Sequence, residues 1–296
     1  DEKIEKAWMI LANEIYNCPR GNNQQGPHES IFCGRPTMNN FQVSSWSKMK
    51  NYYDPTDAFL KGRYSNGKFT NDVVSATTIY HSHYVEGNAW QLTFFVPHDV
   101  PALVDIIGRE RMVERLKWGF EQSERYRYNA PGDQYWDFPV VQGNQQSMHF
   151  AFLFNWAQAP YLTQRWSRSI LERYYGSGAA NAWLGDEDQG QMSAWMVMAS
   201  IGLFQTDGGC SVDPHYEIGS PLFEQVKINL GNRYGRGGEL IIKARNASLD
   251  NKYIQSASRN RKPLDSFLIP AKELLGGGVL ELQMSSEPNM QWGVAR

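Results

Sequence analysis

Gly185-Asp186-Glu187-Asp188-Gln189-Gly190-Gln191-Met192-Ser193-Ala194-Trp195-Met196-Val197-Met198-Ala199-Ser200-Ile201-Gly202-Leu203-Phe204 is the stretch on which the reading of the fold turns. Residues 191–204 form a helix-length run that is apolar on most sides, the pattern of a buried helix. Upstream of it, helix-length amphipathic stretches alternate with long polar loops punctuated by Gly and Pro. Downstream, beyond Tyr216, the rhythm changes to short alternating runs at 225–230, 239–244, 253–257 and 279–284, and a period of two means strands. Gly231, the Gly235 to Gly238 cluster and Gly276-Gly277-Gly278 sit between those runs as turn residues. The expected architecture is mainly α with a β portion: helical over residues 1–215, in the manner of an α/α toroid, then a β-rich module over 216–296.

Working back toward the start, four further helices are expected. Ile4, Ala7, Trp8, Leu11 and Ile15 recur at helical spacing. Asp99 is placed to cap a helix with Pro101 in its first turn, running through Leu103, Ile106 and Ile107 toward Phe120. Ser147 opens another through Phe150, Phe152 and Trp156. The last covers residues 162–175 and stops at Gly176, a residue suited to a left-handed helix end. These helices are too few to close a toroid, and the chain begins inside a helix pattern without Met, so a longer polypeptide is expected.

Charge narrows the partner. Lys and Arg number 29 against 31 Asp and Glu, a formal charge of −2, so no basic excess favours nucleic acid. No apolar run approaches a membrane span of about 20 residues, and the opening residues do not read as a signal peptide. Cys18, Cys33 and Cys210 are an odd number at irregular spacings, which excludes a zinc framework and allows at most one bridge. Asn246-Ala247-Ser248 fits the N-glycosylation pattern and points weakly to a secretory route. The ten Trp and fifteen Tyr suit a core, and aromatic faces also serve as platforms for sugar rings.

Three clusters carry candidate chemistry. In Gly185 to Gln191, three acids precede a helix whose amino-terminal amides and dipole offset negative charge; capping needs one acid rather than three. In His83-Tyr84-Val85-Glu86-Gly87-Asn88-Ala89-Trp90-Gln91, Glu86 is a lone acid among aromatic, weakly charged neighbours, which disfavour its anion and suit a general acid. His83 and Trp90 flank it as candidate substrate contacts. Together the clusters supply an acid and a base on separate segments, as glycoside hydrolysis requires. The third, Gln142-Gly143-Asn144-Gln145-Gln146-Ser147-Met148-His149, is rich in amides that suit sugar hydroxyls, with Gln142 and Gln146 as candidates, or a hard cation that takes carbonyl oxygens.

These strings resemble glycoside hydrolase family 92, calcium-dependent exo-α-mannosidases. The resemblance lies in Glu86-Gly87-Asn88-Ala89-Trp90-Gln91 with Val96-Pro97-His98-Asp99, and in Gly185-Asp186-Glu187-Asp188-Gln189-Gly190-Gln191-Met192-Ser193-Ala194-Trp195. It continues through Tyr216-Glu217-Ile218-Gly219-Ser220-Pro221-Leu222-Phe223, Tyr253-Ile254-Gln255-Ser256, and Glu287-Pro288-Asn289 near Trp292-Gly293, in matching order over nearly all of the chain. It implies an (α/α)6 catalytic domain preceded by a β-sandwich that this sequence lacks. It further implies Glu86 as general acid, Asp188 as base with Asp186 as neighbour or alternative, and inversion at the anomeric carbon. The carboxyl groups should then stand roughly 6.5–9.5 Å apart, leaving room for a water.

By the same resemblance, Asn144 and Gln145 are the candidate calcium ligands. The family commonly has Gly-Asn-Glu-Pro where this sequence has Gly143-Asn144-Gln145-Gln146, so Gln145 keeps a carbonyl oxygen and loses a full charge. Val140-Val141-Gln142 lacks the His-Glu pair of members selective for α-1,2 linkages. The expected substrate is a mannose-containing glycan or mannosyl phosphodiester, met outside the cell, in a periplasm or in a secretory lumen. The alternative is an inactive mannose-binding or scaffold protein, favoured by the lost charge at Gln145 and disfavoured by the retained acids.

Overall fold

The structure, a computed structural model, describes residues 52–61, 64, 66–69, 87–129, 138–178, 182–185, 187 and 190–294. The helix expected over 4–15, Cys18, Cys33, His83, Glu86, Asp186 and Asp188 lie outside the described residues. Cys210 is a free, exposed thiol.

A short hairpin of β1 (Tyr53–Asp54) and β2 (Phe59–Leu60) comes first. It is followed by helix α1 (Ala89–Phe94), whose N-cap Asn88 accepts from the Gln91 amide. Helix α2 (Val100–Ile107) opens as expected, with the Asp99 carboxylate accepting the Ala102 amide at 3.2 Å. It does not run on toward Phe120. Gly108 sits at φ 87, a conformation that L side chains resist, and there the chain turns into a second helix, α3 (Arg109–Glu124).

The helix expected to open at Ser147 begins later, as α4 (Phe150–Trp156), because Ser147 lies in a 3₁₀ turn (Gln145–Ser147) with its hydroxyl accepting the Val141 amide at 3.1 Å. Helix α5 (Pro160–Arg173) ends before Tyr174 rather than at Gly176. The Gly176 amide is drawn off to the Ala182 carbonyl at 2.9 Å, which takes the backbone out of the helical path.

Helix α6 (Gln191–Ile201) is shorter and less buried than its composition implies. Met192, Trp195 and Ala199 face inward, while Val197 is 59% exposed. Gly202 stops it at φ 79, and a Cβ there would lie 2.4 Å from Pro221 Cγ. Leu203–Phe204, expected as the last turn of this helix, is instead strand β3.

The remaining elements are β4 (His215–Ile218), β5 (Gln225–Asn229), β6 (Glu239–Arg245), β7 (Tyr253–Arg259), β8 (Lys262–Pro263), β9 (Leu268–Pro270), the short helix α7 (Ala271–Leu275) and β10 (Gly278–Ser285). They form a three-stranded sheet, β3-β4-β9, and a five-stranded sheet, β5-β6-β10-β7-β8. In the larger sheet β10 runs parallel to β6 and antiparallel to β7. The period-two pattern is physical here: Leu240, Ile242 and Ala244 of β6 face the same core as Leu280, Leu282 and Met284 of β10, while the residues between them face outward.

Two apolar clusters result. The helical one is dominated by aromatic pairs such as Phe120 on Trp166, stacked at 5.2 Å, and Phe152 on Phe204, stacked at 4.1 Å. Each pair adds about 0.5–1.5 kcal/mol beyond the area it buries. Helix α5 ties this cluster to the sheet by polar contacts. Buried Arg168 donates to the Pro221 and Ser248 carbonyls at 3.1 and 2.8 Å, and Gln164 Oε1 accepts the Ile254 amide at 2.9 Å. Among the described residues no helix is long and apolar enough to cross a membrane.

Candidate active site

The segment 138–149 lies between helix α1 with its cap and the backbone at Leu184 and Gly185. On one side the Phe138 carbonyl accepts from Asn88 Nδ2 and from Gln91 Nε2, each at 2.8 Å. Asn88 is the N-cap of α1, so the side chain that starts the helix after Glu86 also holds the start of the amide-rich loop. The loop's other end is held to the same helix, where His149 Nε2 lies 2.9 Å from the Phe94 carbonyl. A carbonyl can only accept, so this nitrogen carries the hydrogen. Complete burial pushes the His149 pKa down to about 4, leaving a neutral ring fixed as a donor.

On the other side the loop meets the acidic segment backbone to backbone. A Cβ on Gly143 would lie 2.8 Å from the Tyr174 hydroxyl and 3.3 Å from the Leu184 carbonyl. A Cβ on Gly185 would lie 2.9 Å from the same hydroxyl and 3.5 Å from Gly143 Cα. Only glycine at both positions allows this approach, and the Tyr174 hydroxyl, donating to the Leu184 carbonyl at 2.8 Å, fills the notch between them.

Among the three consecutive acids, the middle one takes up the helix terminus. Glu187 accepts the Ser193 amide on Oε1 at 3.2 Å and the Gln191 amide on its main-chain carbonyl at 3.1 Å, at the start of α6. One acid of the three therefore meets the amides at the helix terminus. Glu187→Ala should cost about 1 kcal/mol, the usual worth of a helix cap, in urea denaturation. Unchanged stability would mean that another group caps α6.

Of the candidate substrate contacts, Gln142 and Gln146 are fully buried. Gln142 Nε2 donates to the Tyr175 hydroxyl at 3.4 Å, and its Oε1 has no hydrogen-bond partner among the described residues. The same holds for both amide atoms of Gln146. Buried amides left unpaired are costly, so these are the polar atoms best placed to receive a ligand.

Trp90, the remaining described candidate for a substrate contact, is packed among aromatic rings. It is 8% exposed, stacked on Trp118 at 4.8 Å and set edge-on to Phe59 at 5.0 Å. Its indole N–H is the part left without a partner among the described residues.

The candidate metal ligands are carbonyl donors. Asn144 is buried and its Oδ1 accepts the Gln145 amide at 3.1 Å, while Gln145 is partly exposed. No group of three or more His, Cys, Asp or Glu able to hold a metal occurs among the described residues. The donor set fits a hard cation through oxygens only: Asn144 and Gln145 with the orphaned Oε1 atoms of Gln142 and Gln146.

Two features of the surroundings were not singled out from the sequence. Tyr174 and Tyr175 follow α5 with buried hydroxyls, and the Tyr-Tyr pair ahead of the Gly185 segment was the available signal. Glu217, quoted above without a role, is 2% exposed in β4. It accepts from Asn155 Nδ2 at 3.0 Å and from both the amide and the hydroxyl of Thr206. An acid among Tyr and Ile in a strand was the signal for a buried carboxyl.

Residues 37–286 match the family model described as glycosyl hydrolase family 92 catalytic domain. The fold is similar to that of a family GH92 α-mannosidase from Bacteroides thetaiotaomicron, at 27% identity and a TM-score of 0.72 over 88% of this chain and 32% of that one. The same bacterial protein is also solved in complex with mannoimidazole. A family GH92 inverting mannosidase from the same organism is 28% identical, with a TM-score of 0.69 over 87% of this chain and 34% of that one. An uncharacterized secreted glycosidase of Arthroderma benhamiae is 28% identical over 216 residues, 71% of this chain and 25% of the fungal one. The chain thus spans about a third or less of the length of these relatives. With the family model matched over most of its residues, the chain belongs to glycosyl hydrolase family 92.

Proposed function

We propose that this chain carries the acid- and base-bearing portion of an inverting exo-α-mannosidase that removes terminal α-mannosyl residues from glycans or mannosyl phosphodiesters. The observation that carries the reading is the contact of Gly143 with Gly185, with Asn88 tied to Phe138 on the opposite side. Together these support a reading in which Glu86, the amide loop, Asp186 and Asp188 serve one locus. Family membership and the mannosidase relatives support this substrate class.

In this reading Glu86 protonates the departing oxygen, and Asp188, with Asp186 beside it, takes a proton from the attacking water. Gln142 and Gln146 offer buried amides to sugar hydroxyls. Capping by Glu187 leaves the two Asp residues for the water. Calcium held by Asn144 and Gln145, with the amide oxygens of Gln142 or Gln146, would supply a fixed positive charge that orients sugar hydroxyls. The helices are read as an arc of an (α/α)6 toroid over residues 1–215, with a β module over 216–296 and a β-sandwich supplied by sequence outside this chain. A secreted, periplasmic or lumenal setting fits a glycan substrate and the secreted fungal relative.

The test is hydrolysis of α-mannosides by the full-length protein, with the anomer of the first-formed mannose followed by NMR. β-Mannose is the expected first product. Chelation should lower the rate and calcium should restore it. Full turnover in excess chelator, with no metal by elemental analysis, would remove calcium from the scheme. Mannose binding without cleavage of any mannoside would replace the enzyme by a binding protein.

A further inference from the structure

We infer that the consecutive tyrosines Tyr174 and Tyr175 are positioning residues that brace the acidic loop and the amide loop at a set separation. Each hydroxyl hydrogen-bonds to a different loop. Tyr174 donates to the Leu184 carbonyl at 2.8 Å, one residue before Gly185, and occupies the notch between Gly143 and Gly185. Tyr175 accepts from Gln142 Nε2 at 3.4 Å.

The brace is stiff because both rings are pinned. They meet edge to face at 5.0 Å, and Tyr175 lies flat on Trp195 with centroids 5.5 Å apart and planes within 6°. Both hydroxyls also approach Met192 Sδ, at 3.8 and 3.9 Å, so the pair rests on the first turn of α6, the helix capped by Glu187. Trp195 Nε1 in turn donates to the Met148 carbonyl at 2.7 Å, returning the contact to the amide segment. Burial pushes the Tyr175 phenol well above its ordinary value, so that hydroxyl acts as a neutral hydrogen-bonding group.

The two hydroxyls should separate kinetically. Tyr174→Phe keeps the ring and releases the loop bearing the proposed base, so kcat should fall about 10-fold on substrates with good and poor leaving groups alike, with KM changed less than about twofold. Tyr175→Phe frees the Gln142 amide, so KM should rise several-fold with kcat nearly kept. A purely structural role would move both variants in the same way.

The kinetic arm rests on the mannosidase reading; the second arm does not. In Tyr174→Phe, hydrogen exchange of peptides spanning 182–193 should quicken while that of the β-strand core stays fixed. Exchange equal to the parent's would overturn the brace, as would faster exchange with unchanged kcat in an active parent. A parent that cleaves no mannoside would sink the mannosidase reading alone; faster exchange would then still uphold the brace, and unchanged exchange would still overturn it.

Discussion

Glu86→Gln should slow hydrolysis of an unactivated α-mannoside by about 10²–10⁴-fold while leaving mannose binding intact. Glutamine keeps the reach of the side chain and removes the transferable proton. The loss should therefore follow the leaving group, being greatest for a sugar hydroxyl and small for a nitrophenol or phosphate. Asp188→Asn should slow both kinds of substrate alike, because water must be activated whatever departs. If Glu86→Gln cleaved a simple mannoside at the parent rate, the assignment of the acid would be wrong.

The second large effect concerns stability and rests on Glu217. Burial raises its pKa from the ordinary 4.5 to about 7, against the opposing pull of hydrogen bonds from Thr206, Asn155 and Trp156. In the unfolded chain the carboxyl ionises near its ordinary value, whereas in the folded protein it holds its proton until about 7. Between those values the folded state binds a proton that the unfolded state has lost, so raising pH through this window destabilises the fold. The shift corresponds to about 3 kcal/mol.

Glu217→Gln removes this dependence and places an NH₂ against donors that face a carboxyl oxygen, at a cost of about 1–3 kcal/mol where the parent carboxyl is neutral. The parent should thus be the more stable protein near pH 5, with the difference shrinking by about 3 kcal/mol as pH rises to 8. Urea midpoints across that range measure it. A difference that does not change with pH would show that Glu217 is already ionised in the fold at pH 5.

Much of the fold was legible because the signals were local. Asp99 with Pro101 marked the start of α2, and period-two runs marked β5, β6, β7 and β10 within one or two residues. The errors sat at helix ends. Gly108 and Gly202 divide or stop runs whose apolar pattern continues through them, since backbone conformation at a glycine overrides periodicity. Leu203 and Phe204 carry the composition of a buried helix yet pair with Ile218 and Glu217, a choice made by β4 more than ten residues away.

The same division runs through the candidate site. The sequence alone marked the segments proposed to carry chemistry, because the Glu86 motif, the amide loop and the triple acid are contiguous strings that carry the resemblance to the family. Only the tertiary structure decided how those segments meet. It puts Gly143 against Gly185 around the Tyr174 hydroxyl, gives the capping task to Glu187, and packs Trp90 against Trp118 and Phe59. Periodicity and capping depend on residues within a turn or two of each other. The approach of Gly143 and Gly185, 42 positions apart, depends on what fills the space between them, and no local pattern in the chain encodes that.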